Sequence, residues 1–302
     1  MSIQIDTALV NTYRAGISLK FQQTNSRLEP YARKETQHSE YDYYDRIGTV
    51  DPVEILTRHG DTPQMDTPHD RRRVALRSFD WADYIDRNDR MRMLSDPNSP
   101  YTANAVAGMM RRKDDVIIEA LLGSAWTGKT GSTEITWASQ TNQLIAHNAI
   151  DVGTGSATNL TLAKLRRAQR LLNAAEAKTE GGQLICALGS SQLQALLADQ
   201  KVQSSDYNTI KALVNGEIDT FLGFKFVRLE RLPVTSAGYR RVVCFVANSA
   251  VTLATGADLQ VEVTRRDDKR FLTQVYVSAS FGAARMWEEQ VIEILCDETA
   301  AV

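Results

Sequence analysis

Between 101 and 122 the apolar residues fall three and four apart, at Ala103, Val106, Ala107, Met110, Ile117 and Leu121. That spacing draws one stripe along a helix. Pro100 stands at its start, where a missing N–H costs nothing, with Asn98 and Ser99 before it as caps, and Gly123 stands just past its end. At 1.5 Å per residue such a helix is roughly 33 Å long, and Gly108 weakens it by about 1 kcal/mol relative to Ala. Arg111, Arg112, Asp114, Asp115 and Glu119 occupy the other face. The segment reads as a central strut whose core positions are Val106, Met110, Ile117 and Leu121.

A second helical pattern covers Thr161–Lys178, with Leu162, Leu165, Ala168, Leu172 and Ala175 on one face and Gly181-Gly182 beyond it. An apolar run, Leu184–Leu188, and a helix from Ser190 or Ser191 to Ala198 follow. This alternation predicts a small α/β unit, extended by a helical turn at 206–213 and strands at 223–229 and 242–247. Short strands are expected at 135–137 and 143–145, and 151–159, with two Gly, reads as a boundary. From Leu259 the pattern changes to period two. Strands at 259–263 and 271–281 meet at Asp267-Asp268, and Gly282 separates them from a further run, 285–295. The strut and these closing strands are expected to form one body, with 151–254 inserted between them.

The segment before the strut is different. Residues 6–23 form an amphipathic pattern, with Leu9, Val10, Tyr13, Ile17 and Phe21 on one side, fit to dock on the chain's own body or on a neighbour. From 28 to 92 Leu, Ile and Val are scarce, and Tyr, Arg, Asp, His and Pro abound. Extended runs at 41–58 and 71–81 flank a polar connection, which predicts a long two-stranded ribbon. So few apolar residues cannot hold such a ribbon alone in water, and another subunit is the economical support. Arg58, His59, Asp61, Arg71, Arg72 and Arg73 are its candidate inter-subunit contacts, the arginine cluster being either a solvated strand face or a set of ion pairs across a subunit boundary. His59, Asp61, Asp66, His69 and Asp70 lack the rigid support a metal site needs, and 80–89 lacks the Gly and Glu of a calcium loop.

Composition is that of an ordinary soluble globular chain: 302 residues, 43% hydrophobic, 24% charged, with a net charge of −2. Nothing in that balance asks for nucleic acid or an anionic surface. Cys186, Cys244 and Cys296 lie in apolar runs, as buried reduced thiols of a cytosolic protein would. No basic-then-apolar leader or 18-residue apolar run is present. Residues 123–130, GSAWTGKT, match the nucleotide-binding G-x-x-x-x-G-K-T string. A phosphate loop follows a strand and opens a helix, whereas here a helix precedes it and a strand-like run, 132–137, follows. The four His, at 38, 59, 69 and 147, accompany no nucleophile or metalloprotease pattern. No catalytic, cofactor or metal residue is assigned.

Several strings, in order, resemble the major capsid proteins of tailed bacteriophages of the Hong Kong 97 type. They are Asp86–Asp89 through Asp96–Tyr101 and Met109–Gly123; then Asp206-Tyr207, Leu213–Gly216, Phe221–Phe224 and Glu230–Pro233; and finally Gly282–Arg285 and Val291–Leu295. The resemblance implies an α+β, Hong Kong 97-like fold. Its parts would be an N-terminal arm (1–34), an extended ribbon loop (35–92), a peripheral domain with the spine helix (93–150), an axial domain (151–254) and a return to the peripheral domain (255–302). It also implies a coat, not an enzyme. Pentamers and hexamers of the chain would close an icosahedral shell around double-stranded DNA held without sequence readout, in a virion assembled in the host cytoplasm. A separate scaffolding protein, a portal and a decoration protein are the implied partners, with no membrane and no cofactor. An encapsulin-like bacterial compartment shares the fold and is the alternative. From another class, a nucleotide hydrolase using Lys129 and Thr130 is the reading that ATP or GTP binding would test.

Overall fold

The computed structural model describes residues 22–54, 60–62, 64–85, 98–150, 153–177, 182–198 and 220–299. All but the last two residues of the arm pattern at 6–23, the turn at 206–213 and the contact candidates Arg58 and His59 lie outside them. Contacts divide the described chain into two units: 22–26, 77–85, 98–113 and 256–281 in the first, and the described residues of 27–76, 114–255 and 282–299 in the second. The chain order of elements is β1 (Arg33–Thr36), β2 (Tyr41–Ile47), β3 (His69–Ala75), β4 (Arg77–Ile85), α1 (Asn98–Leu122), β5 (Ala125–Thr127), β6 (Thr133–Ile135) and β7 (Leu144–Ile145). There follow α2 (Leu162–Ala174), β8 (Leu184–Leu188), α3 (Ser190–Ala198), β9 (Thr220–Phe221), β10 (Phe224–Arg228), β11 (Arg240–Val246), β12 (Val251–Arg266), β13 (Leu272–Arg285) and β14 (Val291–Cys296).

In the first unit β4 runs antiparallel to β13, from Arg77 opposite Phe281 to Ile85 opposite Thr273. Alternation along β13 buries Val275, Val277, Ala279 and Phe281, as its period-two pattern requires. The first half of α1 presents Ala105 and Met109 to Val277, with Phe79, Trp81 and Leu259 packed around them. This shifts the stripe read from the sequence: Ala103 is exposed and Val106 and Met110 are half-buried. A helix of 3.6 residues per turn makes 105 and 109 neighbours on one face, and Ala105 leaves the room a close helix–sheet approach needs. Phe79 stacks on Phe281 at 4.8 Å, and Arg112 lies over the Phe79 ring at 5.1 Å.

The second unit carries a six-stranded mixed sheet in the order β7-β14-β11-β8-β10-β9. β8 is parallel to β10 and antiparallel to β11, which is antiparallel to β14. Strands covered on both faces read as unbroken apolar runs; β8 is buried throughout, and so are Val242–Val246 of β11. Helix α2 buries the face its pattern marked, through Leu162, Leu165, Ala168 and Leu172, and Thr161 caps it by accepting from the Lys164 N–H at 3.5 Å. Lys164 is fully buried and donates to the carbonyls of Thr158, Asn159 and Leu295 at 2.7–3.0 Å. The three cysteines are buried free thiols in adjacent strands, and burial pushes Cys296 up to about 12. One expectation changes here. Strand β14 lies inside this sheet beside β11, so the closing segment 255–302 is shared between two sheets and does not return as a whole to the strut.

The last turns of α1 also belong to this unit, where Val116, Ile117, Ile118, Leu121 and Leu122 are buried. Asp114, expected on the solvent face, is fully buried. Its carboxylate accepts the backbone N–H groups of Arg27 at 3.1 Å and Leu28 at 3.0 Å. Gly123 follows the helix because a Cβ there would stand 2.4 Å from the Glu119 carbonyl oxygen.

Candidate functional site

The ribbon is shorter than its pattern. β2 and β3 pair from Tyr41 opposite Ala75 to Ile47 opposite His69, and at Leu76 the chain leaves it. Strands β5 and β6 extend it into a four-stranded sheet, β2-β3-β5-β6. Successive side chains on a strand point to opposite faces. One ribbon face therefore holds Tyr41, Tyr43, Asp45 and Ile47 with His69, Arg71 and Arg73; the other holds Tyr44 and Arg46 with Asp70, Arg72 and Val74. The first faces solvent, with Ile47 60% exposed; the second is buried, with Arg72 at 0%.

The buried face is rooted by charge. Arg72 Nη2 donates to Glu288 Oε1 at 2.6 Å and to the Met286 carbonyl at 3.3 Å. Arg46 donates to the Met286 carbonyl and to Asp70, stands 3.5 Å from Glu288 Oε2, and stacks over Trp287 at 4.9 Å. Asp70 also accepts from Thr127 Oγ1 at 2.6 Å, the Arg71 N–H at 2.7 Å and the Gly128 N–H at 3.3 Å. Arg285, fully buried, donates to the Leu121 and Gly123 carbonyls at 2.8 and 2.9 Å, a cation where the helix leaves acceptors unpaired. It lies 4.7 Å over Trp137, with Nε 3.6 Å from Glu288 Oε1. Burial lowers the Arg285 pKa to about 10 and that of Arg72 in the same direction, Glu288 opposing both shifts. Burial would raise Asp70, but the hydrogen bonds from Thr127 and Arg46 outweigh it and hold its carboxyl well below the usual range.

This corrects the arginine cluster. Arg72 is neither solvated nor paired across a subunit boundary, because the strand alternation turns it into its own chain's core. Arg71 is exposed and pairs with Asp45 across the ribbon at 2.7 Å. Arg73 stacks between Tyr41, at 5.0 Å, and Trp126, at 4.9 Å. Asp61 is exposed. Sequence reasoning missed Arg46, Arg285 and Glu288; the signal was the period of two, which cannot place three consecutive arginines on one face. Gly282 also belongs to the root. A Cβ on it would lie 2.0 Å from the Ala75 carbonyl oxygen, where the ribbon passes over β13.

The GSAWTGKT string supplies β5 and the start of the turn of the β5–β6 hairpin, closed by a Gly131 N–H to Gly128 carbonyl bond of 3.0 Å. A cleft of about 330 Å³ beside Gly128 and Lys129 is lined by Asp45, His69, Asp70 and Arg71. Its carboxylates are engaged by Arg71 and Arg46 within the ribbon. The helix N-terminus that would bind a triphosphate is replaced by strand β6.

A family model described as phage capsid protein matches residues 5–298. The chain belongs to this phage capsid protein family. No curated protein sequence matches it. The capsid of cyanophage Pam1 superposes with a TM-score of 0.73 at 15% identity, over 98% of either chain. That of cyanophage P-SCSP1u gives 0.72 at 14%, over 97% of this chain and 94% of that one. The capsid of Helicobacter pylori bacteriophage KHP30 gives 0.70 at 11%, over 99% and 98%. This phage capsid protein thus shares its α+β fold with solved phage capsids, consistent with the Hong Kong 97 type expected, and the family favours the viral branch over a bacterial compartment.

Proposed function

We propose that this capsid protein is the major coat of a tailed double-stranded DNA phage, closing as pentamers and hexamers into an icosahedral shell. One observation carries the reading: a ribbon whose inner face is locked into its own body and whose outer face stays exposed among the described residues. Tyr41, Tyr43 and Ile47 on that face, and Val50, Val53 and Met65 beyond it, are all more than a third exposed. Removing such side chains from water is worth about 25 cal/mol per Å², available only when copies meet. The ribbon, the centre of 35–92, then overlies a neighbouring subunit. The body built on β8, β11 and α2 takes the axial place around five- and six-fold positions, and α1 with β4 and β13 the peripheral one. The chain works as a structural element without a catalytic site, in the virion, after assembly in the host cytoplasm with a scaffolding protein and a portal. DNA is enclosed through non-specific contacts that the near-neutral charge permits.

Negative-stain electron microscopy of the purified chain, alone and co-expressed with its scaffolding protein, tests this. Closed shells, tubes or capsomer rings are expected. A protein that stays monomeric under both conditions overturns it. Because the Gly48 N–H bonds the Pro68 carbonyl at 2.9 Å, residues 49–67 can be replaced by a short turn without touching the root. The shortened chain should keep its circular dichroism spectrum and lose assembly.

A further inference from the structure

Among the described residues strand β12 has a partner on its outer side only at its beginning, where β1 runs parallel to it from Arg33 opposite Thr252 to Thr36 opposite Thr255. From Gly256 to Arg266 no described strand lies on that side. All of these residues are exposed except Leu259, which is half-buried, and Val261 and Val263 are 41% and 48% exposed. Such an edge is a row of open N–H and C=O groups. Proteins that keep one in solvent blunt it with Pro or with charges; the run GADLQVEVTRR has no Pro or Lys, and Leu259, Gln260 and Val261 at its centre carry no charge.

We propose that this edge pairs antiparallel with the same edge of a second copy, in the register that sets Val261 opposite itself. The proposal rests on the coat reading only for the premise that copies meet. The charge order selects the direction: Asp258 and Glu262 come first, Arg265 and Arg266 last. Antiparallel pairing sets Asp258 and Glu262 opposite uncharged partners, whereas parallel pairing in register aligns like with like. The side chains set this register above its two neighbours. With Val261 at the centre, Leu259 meets Val263 on the apolar face; on the other, Gln260 meets Glu262 and Asp258 meets Thr264. Moving the centre to Glu262 sets that carboxylate against itself. Moving it to Gln260 sets Asp258 against Glu262. Like charges directly opposite are destabilising, and half-step registers put the apolar face of one copy beside the polar face of the other.

Val261→Cys in the full-length chain reads this directly, because the three native cysteines are buried. Directly opposite residues have Cα atoms about 4.5–5.5 Å apart, inside the range of about 4.4–6.8 Å that a disulfide spans. Oxidised glutathione, which takes up the two electrons and two protons as two free thiols, should convert assembled Val261→Cys protein mainly to a covalent dimer. Peptide mass mapping should show a 261–261 link. Gln260→Cys and Glu262→Cys alone should give several-fold less dimer, and a Leu259→Cys with Val263→Cys mixture should give the hetero-link. Absence of dimer from both Val261→Cys and that mixture overturns the proposal. Micrographs of the same samples then show whether particles formed, so the coat reading stands or falls separately. A 261–43 link in a mixture with Tyr43→Cys also overturns it, by placing a second copy's ribbon on this edge.

Discussion

The six-stranded sheet and the ribbon root are both buried, and they are held by opposite means. At the centre of the sheet Ile185, Val242–Val246, Val291 and Ile294 are fully buried aliphatic, aromatic and thiol side chains. At the root the buried groups are Arg46, Arg72, Arg285 and Glu288, anchored to the half-exposed Asp70. Apolar burial is non-directional and tolerates repacking. A buried guanidinium tolerates neither a missing carboxylate nor a wrong register, since removing one partner leaves an uncompensated charge. The sheet therefore supplies stability, and the root fixes where the ribbon sits: a one-residue slip of β3 would carry Asp70 away from Arg46 and Thr127 and turn the buried Val74 out to solvent.

The largest expected effects strike both regions equally and separate them by rescue. Phe245→Ala empties the sheet core and should cost about 3–5 kcal/mol. Glu288→Ala strands Arg72 and Arg285 and should cost a similar ~3–5 kcal/mol, both read from urea unfolding midpoints. Replacing Arg72 by Met together with Glu288 by Leu should recover the Arg72 share of the second loss, because an apolar pair of similar volume avoids the desolvation penalty, while Arg285 still lacks its carboxylate. The same double substitution added to Phe245→Ala should recover nothing. If it leaves the root as weak as Glu288→Ala alone, the charge pair is not what distinguishes the two regions.

Gly282→Ala should follow in size. A new methyl cannot fit 2.0 Å from the Ala75 oxygen without moving the ribbon base, and overpacking of this kind costs about 1–3 kcal/mol. The strut gives a finer contrast at neighbouring positions. Met109→Ala should cost about 2–5 kcal/mol, as buried Met truncations do, and Met110→Ala under half as much. Equal losses at 109 and 110 would return the stripe to the face read from the sequence.

That misreading shows what was legible. The strut, α2 and the period-two closing strands announce themselves, because one solvent-facing side forces a regular pattern, and β8 does so as an unbroken apolar run. The same logic fails where both sides are covered. In α1 the first half packs on a sheet while the second is buried more widely around its circumference, so the apolar residues of 103–121 fit more than one stripe and Asp114 reads as solvent-facing when it caps a distant turn. The placement of β14 was hidden because strand pairing between 240–246 and 291–296 leaves no trace in local periodicity. At the root, the ribbon, the hairpin from GSAWTGKT and the Arg cluster were each visible as segments. Their joint burial depends on Arg285 and Glu288, more than 200 residues downstream of Arg72.

The smallest expected effect is in acid. Asp70 has a folded pKa below its unfolded value of about 3.9. The unfolded chain therefore binds the proton first. The stability Asp70 contributes is fully present above that unfolded value and is lost as pH falls through the folded one. Its side chain is 39% exposed, so solvent screens part of that contribution. Asp70→Asn should lower stability modestly at neutral pH and flatten the acid limb of a pH–stability curve. Asp45→Asn, whose partner Arg71 is about half exposed, should leave both within about 1 kcal/mol of the parent. An equal flattening by the two variants would mean that the ribbon is held by its outer charges as much as by its inner ones, and the contrast between root and surface would be lost.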